Sequence, residues 1–452
     1  MESINPATGE LIKRVPAWDA QTLERALAEA AVAKRAWQAT KFEERAELVR
    51  AAATELRANM DLYARLISLE MGKLLREARA EIDKCAWGCE HFADHGAEYL
   101  RDEAVQADAQ RSYVAYQPLG TVLAIMPWNF PFWQAFRAAV PALMAGNTVL
   151  LKHASNVPQC ALAIEEIFQN AGFPVGVFRT LLISGAAAEK VIGDARVNAV
   201  TLTGSEAAGR RVAAAAGAHL KKTVLELGGS DAFVVLADAD VDAAATIGAT
   251  ARLQNCGQSC IAAKRFVLVE DVADEFVERF RRKLEGFVPG DPLRGQTSLA
   301  PMARADLRAD LHKQVADSVR AGAKLALEGG PLGGPGFFYQ PTILDHVTRG
   351  MRAYDEELFG PVAIVLRAQD ETDALRLAND NRYGLGGSVW TRDRDRGERF
   401  ARRMECGSAF VNNMVKSDPR LPFGGIKDSG YGRELATHGI REFVNVKTIW
   451  VK

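Results

Sequence analysis

Two cysteines stand four positions apart in the segment NCGQSC, residues 255–260. The thiolate is the reactive form of cysteine, and a neighbouring base or a helix N-terminus usually supplies the lowered pKa that it needs. Cys260 follows Gly257, which lets the backbone approach a ligand closely. Cys256 lies before that glycine, near the end of a predicted helix, where small buried thiols commonly fill the core. The segment is compatible with a metal site, a disulfide, or one nucleophilic thiol beside a passive neighbour.

A carboxylate and an amide also occupy positions where they could do chemistry. Glu226 lies in the apolar run LELGG, and a buried carboxylate has a raised pKa that suits a general base. The alternative is a glutamate that points outward at a sheet edge. Asn129, in the loop PWNFP, has an amide that could donate to a developing oxyanion. The alternative is a helix N-cap, because a proline-led helix follows.

A second segment contains several residues of the types that bind metals. CAWGCEHFADH contains Cys85, Cys89, His91 and His95, and zinc sites use such residues at short spacings. The segment has helical periodicity, so at 100° per residue His91 lies about 200° around the helix from Cys89. Ligands on different sides of one helix cannot close a tetrahedron, and we predict no metal site.

Composition limits the possible partners. The chain has 452 residues, with 56 basic and 57 acidic side chains, so nothing indicates nucleic acid or a membrane surface. No apolar stretch is long enough to span a bilayer, and the N-terminus lacks the layout of a signal peptide. Six cysteines in a chain of this length are no disulfide framework. The sequence therefore predicts a cytoplasmic protein with reduced thiols.

The order of elements indicates an α/β fold. Residues 20–100 have the apolar spacing of long amphipathic helices. Within the stretch RAELVRAAATELRANMDLYARLISLEMG, the last helix is predicted to end near Gly72. From residue 121, short apolar runs alternate with helical segments, which is typical of a parallel sheet with right-handed crossovers. A second unit of this kind begins near residue 233. Two further strands are predicted at 111–117 and in the last twelve residues.

A turn after the fourth strand of the first unit could bind a phosphate. Gly204 and Ser205 begin the segment GSEAAG, at a predicted helix N-terminus with free N–H groups and the positive end of the helix dipole. No G-x-G-x-x-G pattern accompanies it, and turn glycines before helices are common. Alone, the segment does not establish a nucleotide site.

Seven segments together resemble the aldehyde dehydrogenase superfamily. They are NPATGE, PWNFP, TGS, LELGG, GQSC, EELFGPV and PFGGIKDSGYGRE, in the order and spacing of that family along nearly the whole chain. LLKHA, LELGGSD and AAKRF also resemble the short bacterial succinate-semialdehyde dehydrogenase branch. The resemblance implies a Rossmann-like cofactor domain (1–100 and 118–229), an α/β catalytic domain (230–424) and a small β oligomerisation arm (101–117 and 441–452). It also implies a homodimer or homotetramer.

The resemblance assigns the chemistry. Cys260 would be the nucleophile that attacks a small-molecule aldehyde, and Asn129 would hold the oxyanion together with the backbone N–H of the nucleophile. Glu226 would activate the water that hydrolyses the thioester. Cys256 would be the passive neighbour.

The resemblance also implies a nicotinamide cofactor. Glu357 would hold the nicotinamide ribose with Phe359 beside the ring, and Trp128 and Ser205 would approach the pyrophosphate. Lys152 would reach the adenine ribose. Members strict for NAD tend to carry a glutamate three residues after that lysine, where this chain has Ser155. A serine does not repel a 2′-phosphate, so we expect use of NAD or NADP.

The substrate implied by the branch is succinate semialdehyde, whose far carboxylate needs a cation. Arg137 matches an arginine of this branch. A second arginine of better-known members is replaced here by Gln254, and Ser417 and Arg420 are candidates to compensate. Arg137 could instead form a surface ion pair, and the substrate could be another small aldehyde.

Three other classes fit less well. A cysteine hydrolase needs a histidine beside the thiol, and none of the seven histidines lies in a recognisable partner motif. A dehydrogenase that passes its thioester to coenzyme A would lack the glutamate at position 226. A non-enzymatic relative would have lost Cys260, Glu226 or Asn129, and all three are present.

Overall fold

The computed structural model describes residues 1–452. Its helices are α1 (Ala20–Ala39), α2 (Phe42–Ala58), α3 (Met60–Met71), α4 (Leu75–Tyr99), α5 (Pro131–Met144), α6 (Pro158–Asn170), α7 (Gly185–Gly193), α8 (Glu206–Ala218), α9 (Val241–Leu253), α10 (Glu270–Glu285), α11 (Ala305–Arg320), α12 (Arg352–Asp355), α13 (Glu371–Asn379), α14 (Arg394–Ala401) and α15 (Ala436–Ile440).

The strands of the N-terminal half are β1 (Glu2–Ile4), β2 (Leu11–Arg14), β3 (Glu103–Ala104), β4 (Arg111–Pro118), β5 (Thr121–Met126), β6 (Thr148–His153), β7 (Phe178–Thr180), β8 (Ala199–Thr203) and β9 (Lys222–Glu226). Those of the C-terminal half are β10 (Asp231–Val235), β11 (Ala263–Val269), β12 (Lys324–Leu327), β13 (Gly330–Pro331), β14 (Tyr339–Gln340), β15 (Thr342–Asp345), β16 (Val362–Ala368), β17 (Tyr383–Gly384), β18 (Gly386–Trp390), β19 (Ser408–Val411), β20 (Ile426–Lys427), β21 (Gly430–Tyr431) and β22 (Val444–Val451).

The first large sheet has the strand order β21-β9-β8-β5-β6-β7, and all its pairs are parallel except β21 with β9. Its strands are apolar throughout because both faces are covered. In β5, Val122 and Ala124 pack into one hydrophobic cluster, and Leu123 between them packs into a separate cluster on the opposite face. The predicted parallel α/β sheet is confirmed.

This sheet has a topological switch point. The chain runs outward from β5 through β6 to β7, then returns to the other side of β5 to form β8 and β9. A crevice forms at the carboxyl ends of β5 and β8, where ligands of open α/β sheets bind. The loop that contains Asn129 follows β5, and Gly204 follows β8.

The second large sheet has the order β12-β15-β16-β11-β10-β18-β19, parallel except for β12 with β15. It has its own apolar core, built around Phe233, Phe266 and Phe276. Cys260 lies between α9 and β11, so this second sheet positions the candidate nucleophile.

A three-stranded antiparallel sheet, β22-β4-β3, lies apart from the two large ones in the strand pairing. β22 pairs with β4 along its full length, from Val444 opposite Pro118 to Val451 opposite Arg111. The outer edge of β22 is unpaired, and Trp450 beside it is 51% exposed. This sheet is formed by the segments that the sequence predicted as an arm.

Two sequence expectations on local structure have clear outcomes. α3 ends at Met71, and Gly72 follows with the left-handed φ of 83° that favours glycine at a helix C-terminus, as predicted. The N-terminal hairpin β1-β2 and the strand β18 were not predicted, because short runs such as GGSVW give weak periodicity.

None of the helices combines the length and the apolar character needed to cross a bilayer.

Candidate active site

Cys260 follows a strained turn that joins α9 to β11. Left-handed φ angles occur in succession at Asn255 (56°), Cys256 (55°) and Gly257 (71°). Position 257 accepts only glycine, because a Cβ there would lie 2.4 Å from the carbonyl oxygen of Gly360. Asparagine tolerates this conformation, but cysteine does not favour it. The packing of Cys256, which is 1% exposed, offsets the cost of its strained backbone. Cys256 thus has a structural position in the core.

A buried lysine anchors the peptide groups on both sides of the nucleophile. The Nζ of Lys264 donates to the carbonyl oxygens of Ser259 and Cys260, each at 2.8 Å. The same ammonium lies 3.2 Å from the carboxylate of Glu357. The backbone at Cys260 is therefore fixed relative to a candidate cofactor-binding residue.

Asn129 lies against this turn. Its Nδ2 donates to the backbone carbonyl oxygen of Gln258 at 3.0 Å. The backbone carbonyl oxygen of Asn129 accepts from Nδ2 of Asn255 at 2.8 Å. Asn129 is not a helix cap: the N-cap of α5 is Phe130, and the carboxylate of Glu81 accepts the first free N–H groups of that helix.

The backbone N–H of Cys260 donates to no group in the structure. A free N–H beside the thiol and a neighbouring buried amide together form a candidate oxyanion site. The structure thus brings Cys260 and Asn129 together through the Gln258 carbonyl.

Cys260 lies where two cavities meet. One, of about 240 Å³, is lined by Trp128, Gly204 and Glu357; the other, of about 250 Å³, is lined by Lys84, Arg137 and Ser417. Burial raises the pKa of the Cys260 thiol to about 12, although Arg137 and Lys264 act in the opposite direction.

Glu226 ends β9 and is 2% exposed, which excludes an outward position at an edge. Neither carboxylate oxygen has a hydrogen-bond partner. Burial, followed by the charge of Glu434, raises the pKa of Glu226 well above its usual range, and Arg137 acts against this rise. The carboxylate faces Gly424 and contributes to the wall of neither cavity. Leu227 and Gly228, the next two residues, do line the first cavity, so rotation of the side chain is needed to reach it.

The first cavity contains the residues predicted to contact the nicotinamide end of a cofactor. Phe359 packs edge-on against Trp128, with ring centres 5.8 Å apart. Ser205 is the N-cap of α8 and accepts from Ala208 N–H, so the helix N-terminus opens toward the cavity. Glu357 also accepts from the N–H of Gly229, and a Cβ on Gly228 would lie 2.5 Å from its carboxylate. The absence of a side chain at Gly228 leaves room for the Glu357 carboxylate in the cavity wall.

Lys152 lies in a third cavity, of about 300 Å³, between α7 and α8. Burial lowers the pKa of its ammonium. Arg211 and Glu189 form an ion pair at 2.8 Å in the same wall. Ser155 is exposed, three residues beyond Lys152, and borders a different cavity. The apolar wall and the half-buried lysine fit the adenine ribose end of a dinucleotide, and no carboxylate stands at position 155.

The predicted substrate residues separate in the structure. Arg137 lines the cavity of about 250 Å³ but is 4% exposed and forms a buried ion pair with Glu434, not a surface one. Ser417 lines the same cavity and accepts from Lys84 Nζ and Trp133 Nε1. Arg420 does not line it: its guanidinium is exposed on the surface and pairs with Asp418 at 2.7 Å. The expectation that Arg420 compensates for Gln254 is therefore not supported by its position.

The segment with the two histidines has structural contacts. Cys85 and Cys89 lie in the core, and the ring of His91 is 3.1 Å from the hydroxyl of Tyr99. No group of three or more metal-ligating side chains occurs in the structure.

Comparison with known proteins identifies the family. The model of the aldehyde dehydrogenase family matches residues 1–449. The chain belongs to the aldehyde dehydrogenase family.

Relatives of this aldehyde dehydrogenase carry more specific names. A Synechocystis protein named a probable NADP+ succinate-semialdehyde dehydrogenase is 50% identical over 449 residues, covering 99% of both chains. A Mycobacterium ulcerans protein named NADP+ succinate-semialdehyde dehydrogenase 1 is 50% identical over 451 residues, covering 99% of this chain and 98% of the other. The crystal structure of succinic semialdehyde dehydrogenase from Streptococcus pyogenes, in complex with NADP+, has a TM-score of 0.98 and 38% identity. The alignment covers 100% of this chain and 99% of that one.

Sequence reasoning missed three polar residues that the aldehyde dehydrogenase places at its site. Lys264 lies in the segment AAKRF, and Glu434 ends the glycine-rich segment PFGGIKDSGYGRE. Both segments carry the family resemblance, but neither residue has a local pattern that predicts a role. Lys84 is the single lysine of the amphipathic helix α4, and the periodicity of the helix gave no sign that it faces a cavity.

Proposed function

We propose that this enzyme oxidises succinate semialdehyde to succinate with NADP+, and tolerates NAD+. The position of Cys260 on the shared wall of two cavities supports the proposal, because a thiol placed there can meet an aldehyde from one side and a cofactor from the other. The names of the relatives support the substrate and the cofactor.

The first half of the reaction uses the turn around Cys260. The thiolate attacks the aldehyde carbon, and the resulting oxyanion is stabilised by Asn129 and the free N–H of Cys260. Each such donor contributes about 3 kcal/mol in a site that excludes water. The adduct loses hydride and becomes a thioester on Cys260.

The second half needs a base. A thioester hydrolyses more readily than an ester, and Glu226 removes a proton from the attacking water. Burial and the charge of Glu434 raise the pKa of Glu226, which makes its carboxylate a stronger base than that of an exposed glutamate. The acid product then leaves.

The dinucleotide, when bound, supplies the hydride acceptor. Glu357 and Phe359 would hold its nicotinamide end, and the N-terminus of α8 at Gly204 and Ser205 would face its phosphates. Lys152 would contact the adenine ribose.

The proposal is tested by comparing chain-matched aldehydes, with reduced cofactor followed by its absorbance. We expect kcat/KM for succinate semialdehyde to exceed that for butanal by about tenfold or more, the value of one charge-assisted hydrogen bond. Equal values for the two aldehydes would refute the substrate assignment. Acid formation without any nicotinamide cofactor would instead indicate a cysteine hydrolase.

The cofactor choice is tested at Ser155. We expect Ser155→Glu to lower kcat/KM for NADP+ by about 10- to 100-fold, because a carboxylate near the 2′-phosphate repels it at short range. The value for NAD+ should stay within about threefold, which makes it the internal control. A wild-type enzyme that discriminates against NADP+ by about a thousandfold would contradict the proposal of dual use.

We also propose the division into a cofactor domain (1–100 and 118–229), a catalytic domain (230–424) and an arm (101–117 and 441–452). The unpaired edge of β22 supports addition of strands from a second copy, because exposed edges are otherwise prone to aggregate. Light scattering on the purified protein should give two or four times the chain mass of 49.1 kDa. A monomer at micromolar concentration would contradict the proposal.

A further inference from the structure

Lys84 on α4 lines the same cavity as Cys260. Its Nζ donates to the hydroxyl oxygen of Ser417 at 2.8 Å and lies 4.6 Å from the ring centre of Trp133. An ammonium carries three N–H donors, and only the one toward Ser417 has a hydrogen-bond partner. The remaining donors are available to a ligand in the cavity.

Two charged groups near the cavity, Arg137 and Glu81, are already paired, whereas Glu77 and the exposed Lys416 in the same wall form no ion pair. Arg137 is neutralised by Glu434, and Glu81 is neutralised by Lys73. Lys84 forms no ion pair of its own, and Asp418, an acid that acts on its ammonium, is paired with Arg420. The cavity therefore contains a half-buried cation whose charge no contacting acid balances.

The hydroxyl of Ser417 completes an anion-binding pair. Its oxygen accepts from both Lys84 and the indole N–H of Trp133, while its own hydrogen has no acceptor in the structure. The group nearest to Lys84 thus also has a free donor.

From these contacts we propose that Lys84 binds the far carboxylate of the substrate and determines the preference for aldehydes that end in a carboxylate. This inference rests on the proposed function and names the residue that selects its substrate class. Ser417 donates a second hydrogen bond to the same carboxylate. Arg137 lines the same cavity, but its charge is held by Glu434.

The distance between the two ends of the substrate site is fixed by one helix contact. Glu81 lies one turn before Lys84 on α4, and its carboxylate accepts the N–H groups of Phe132 and Trp133 at 2.9 and 3.0 Å. These N–H groups begin α5, directly after the loop that carries Asn129. The carboxylate end and the oxyanion end of the substrate site are therefore joined by a rigid contact.

The ionisation of Lys84 gives an independent measurement. Burial lowers the pKa of Lys84 to about 8; Arg137 on α5 acts in the same direction, and Cys85, Asp418 and Glu81 act against it. Glu77 and Lys416 complete the charged groups of the cavity wall. The protonated form binds a carboxylate, so preference for a carboxylate substrate is present below this pKa and is lost as the pH rises through it.

The experiment compares Lys84→Met with wild type on succinate semialdehyde and butanal. We expect the ratio of the two kcat/KM values to fall by about 10- to 100-fold, mostly through KM for succinate semialdehyde. Butanal should be oxidised within about threefold of the wild-type rate. Lys313→Met is the control for loss of a lysine charge, because Lys313 is exposed on α11 and lines neither cavity that contains Cys260, and it should keep the wild-type ratio.

Two further measurements keep the test decisive if Lys84→Met folds poorly. Lys84→Arg retains the charge and should retain most of the preference. In the wild type the same ratio should fall between pH 7 and 9, and the ionisation of Cys260 cancels from it because both substrates need the thiolate. An unchanged ratio in Lys84→Met, or a ratio independent of pH, overturns the role of Lys84 while leaving succinate semialdehyde as the substrate. A wild type with no preference overturns the substrate assignment itself.

Discussion

Replacement of Cys260 by alanine will abolish aldehyde oxidation while leaving cofactor binding intact. The substitution removes the sulfur that forms the covalent adduct, and no other thiol lines either cavity. We expect kcat to fall by about 10⁴-fold or more, as for removal of a covalent nucleophile elsewhere. The assay is steady-state reduction of NADP+ with succinate semialdehyde, and cofactor affinity is measured separately by fluorescence titration.

Cys256→Ala is the matched control for this experiment. Cys256 lies four residues earlier and is buried at 1% exposure, so its loss should cost stability, through a cavity of about one sulfur atom, but not chemistry. A lower melting temperature with a kcat within about threefold of wild type is expected. Substantial turnover by Cys260→Ala, or an inactive but folded Cys256→Ala, would contradict the assignment of the nucleophile.

Glu226→Gln will stop the reaction after its first half. Glutamine has nearly the same shape but accepts no proton, so the thioester should form and persist. General base catalysis typically contributes 10²- to 10⁴-fold, and we expect kcat to fall by about that factor. Rapid mixing should show a burst of about one reduced cofactor per active site, followed by a slow steady rate.

The pH dependence separates this role from a structural one. In the wild type, hydrolysis needs the carboxylate form of Glu226, whose pKa burial has raised, so the rate of thioester hydrolysis should increase as the pH rises through that value. This increase should disappear in Glu226→Gln. A variant without a burst, or with the wild-type pH profile in the slow phase, would show that another group activates the water.

The sequence singled out Cys260 because the signals around it are local. Gly257 is required by the close carbonyl of Gly360, and the need for glycine is visible in the motif even when its partner is not. The apolar runs of β5 and β6 predicted a sheet that is covered on both faces, and the structure has such a sheet. Asn129 was open to two interpretations, and the cap is excluded because Phe130 is the N-cap of α5 and Glu81 accepts the first free N–H groups of that helix.

Long-range pairing explains what the sequence could not predict. Arg137 and Glu434 form a buried pair across almost 300 residues, and neither periodicity nor spacing indicates such a contact. Arg420 has the charge that a carboxylate substrate needs, but its neighbour Asp418 neutralises it at the surface. Lys84 has an ordinary sequence context, and only the packing of α4 against the Ser417 segment places it in the cavity.

The surroundings of Glu226 have a consequence for how the enzyme is made. β21 pairs with β9, the carboxylate faces Gly424, and the acid whose charge raises its pKa is Glu434. A side chain at position 424 would meet the Glu226 carboxylate at 2.6 Å, so this space is set by residues that are translated about 200 positions after Glu226. Cys260 and Asn129 leave the ribosome much earlier. The surroundings of the proposed base are therefore completed only after this later segment is translated, and a chain that stops before it would hold Cys260 without them.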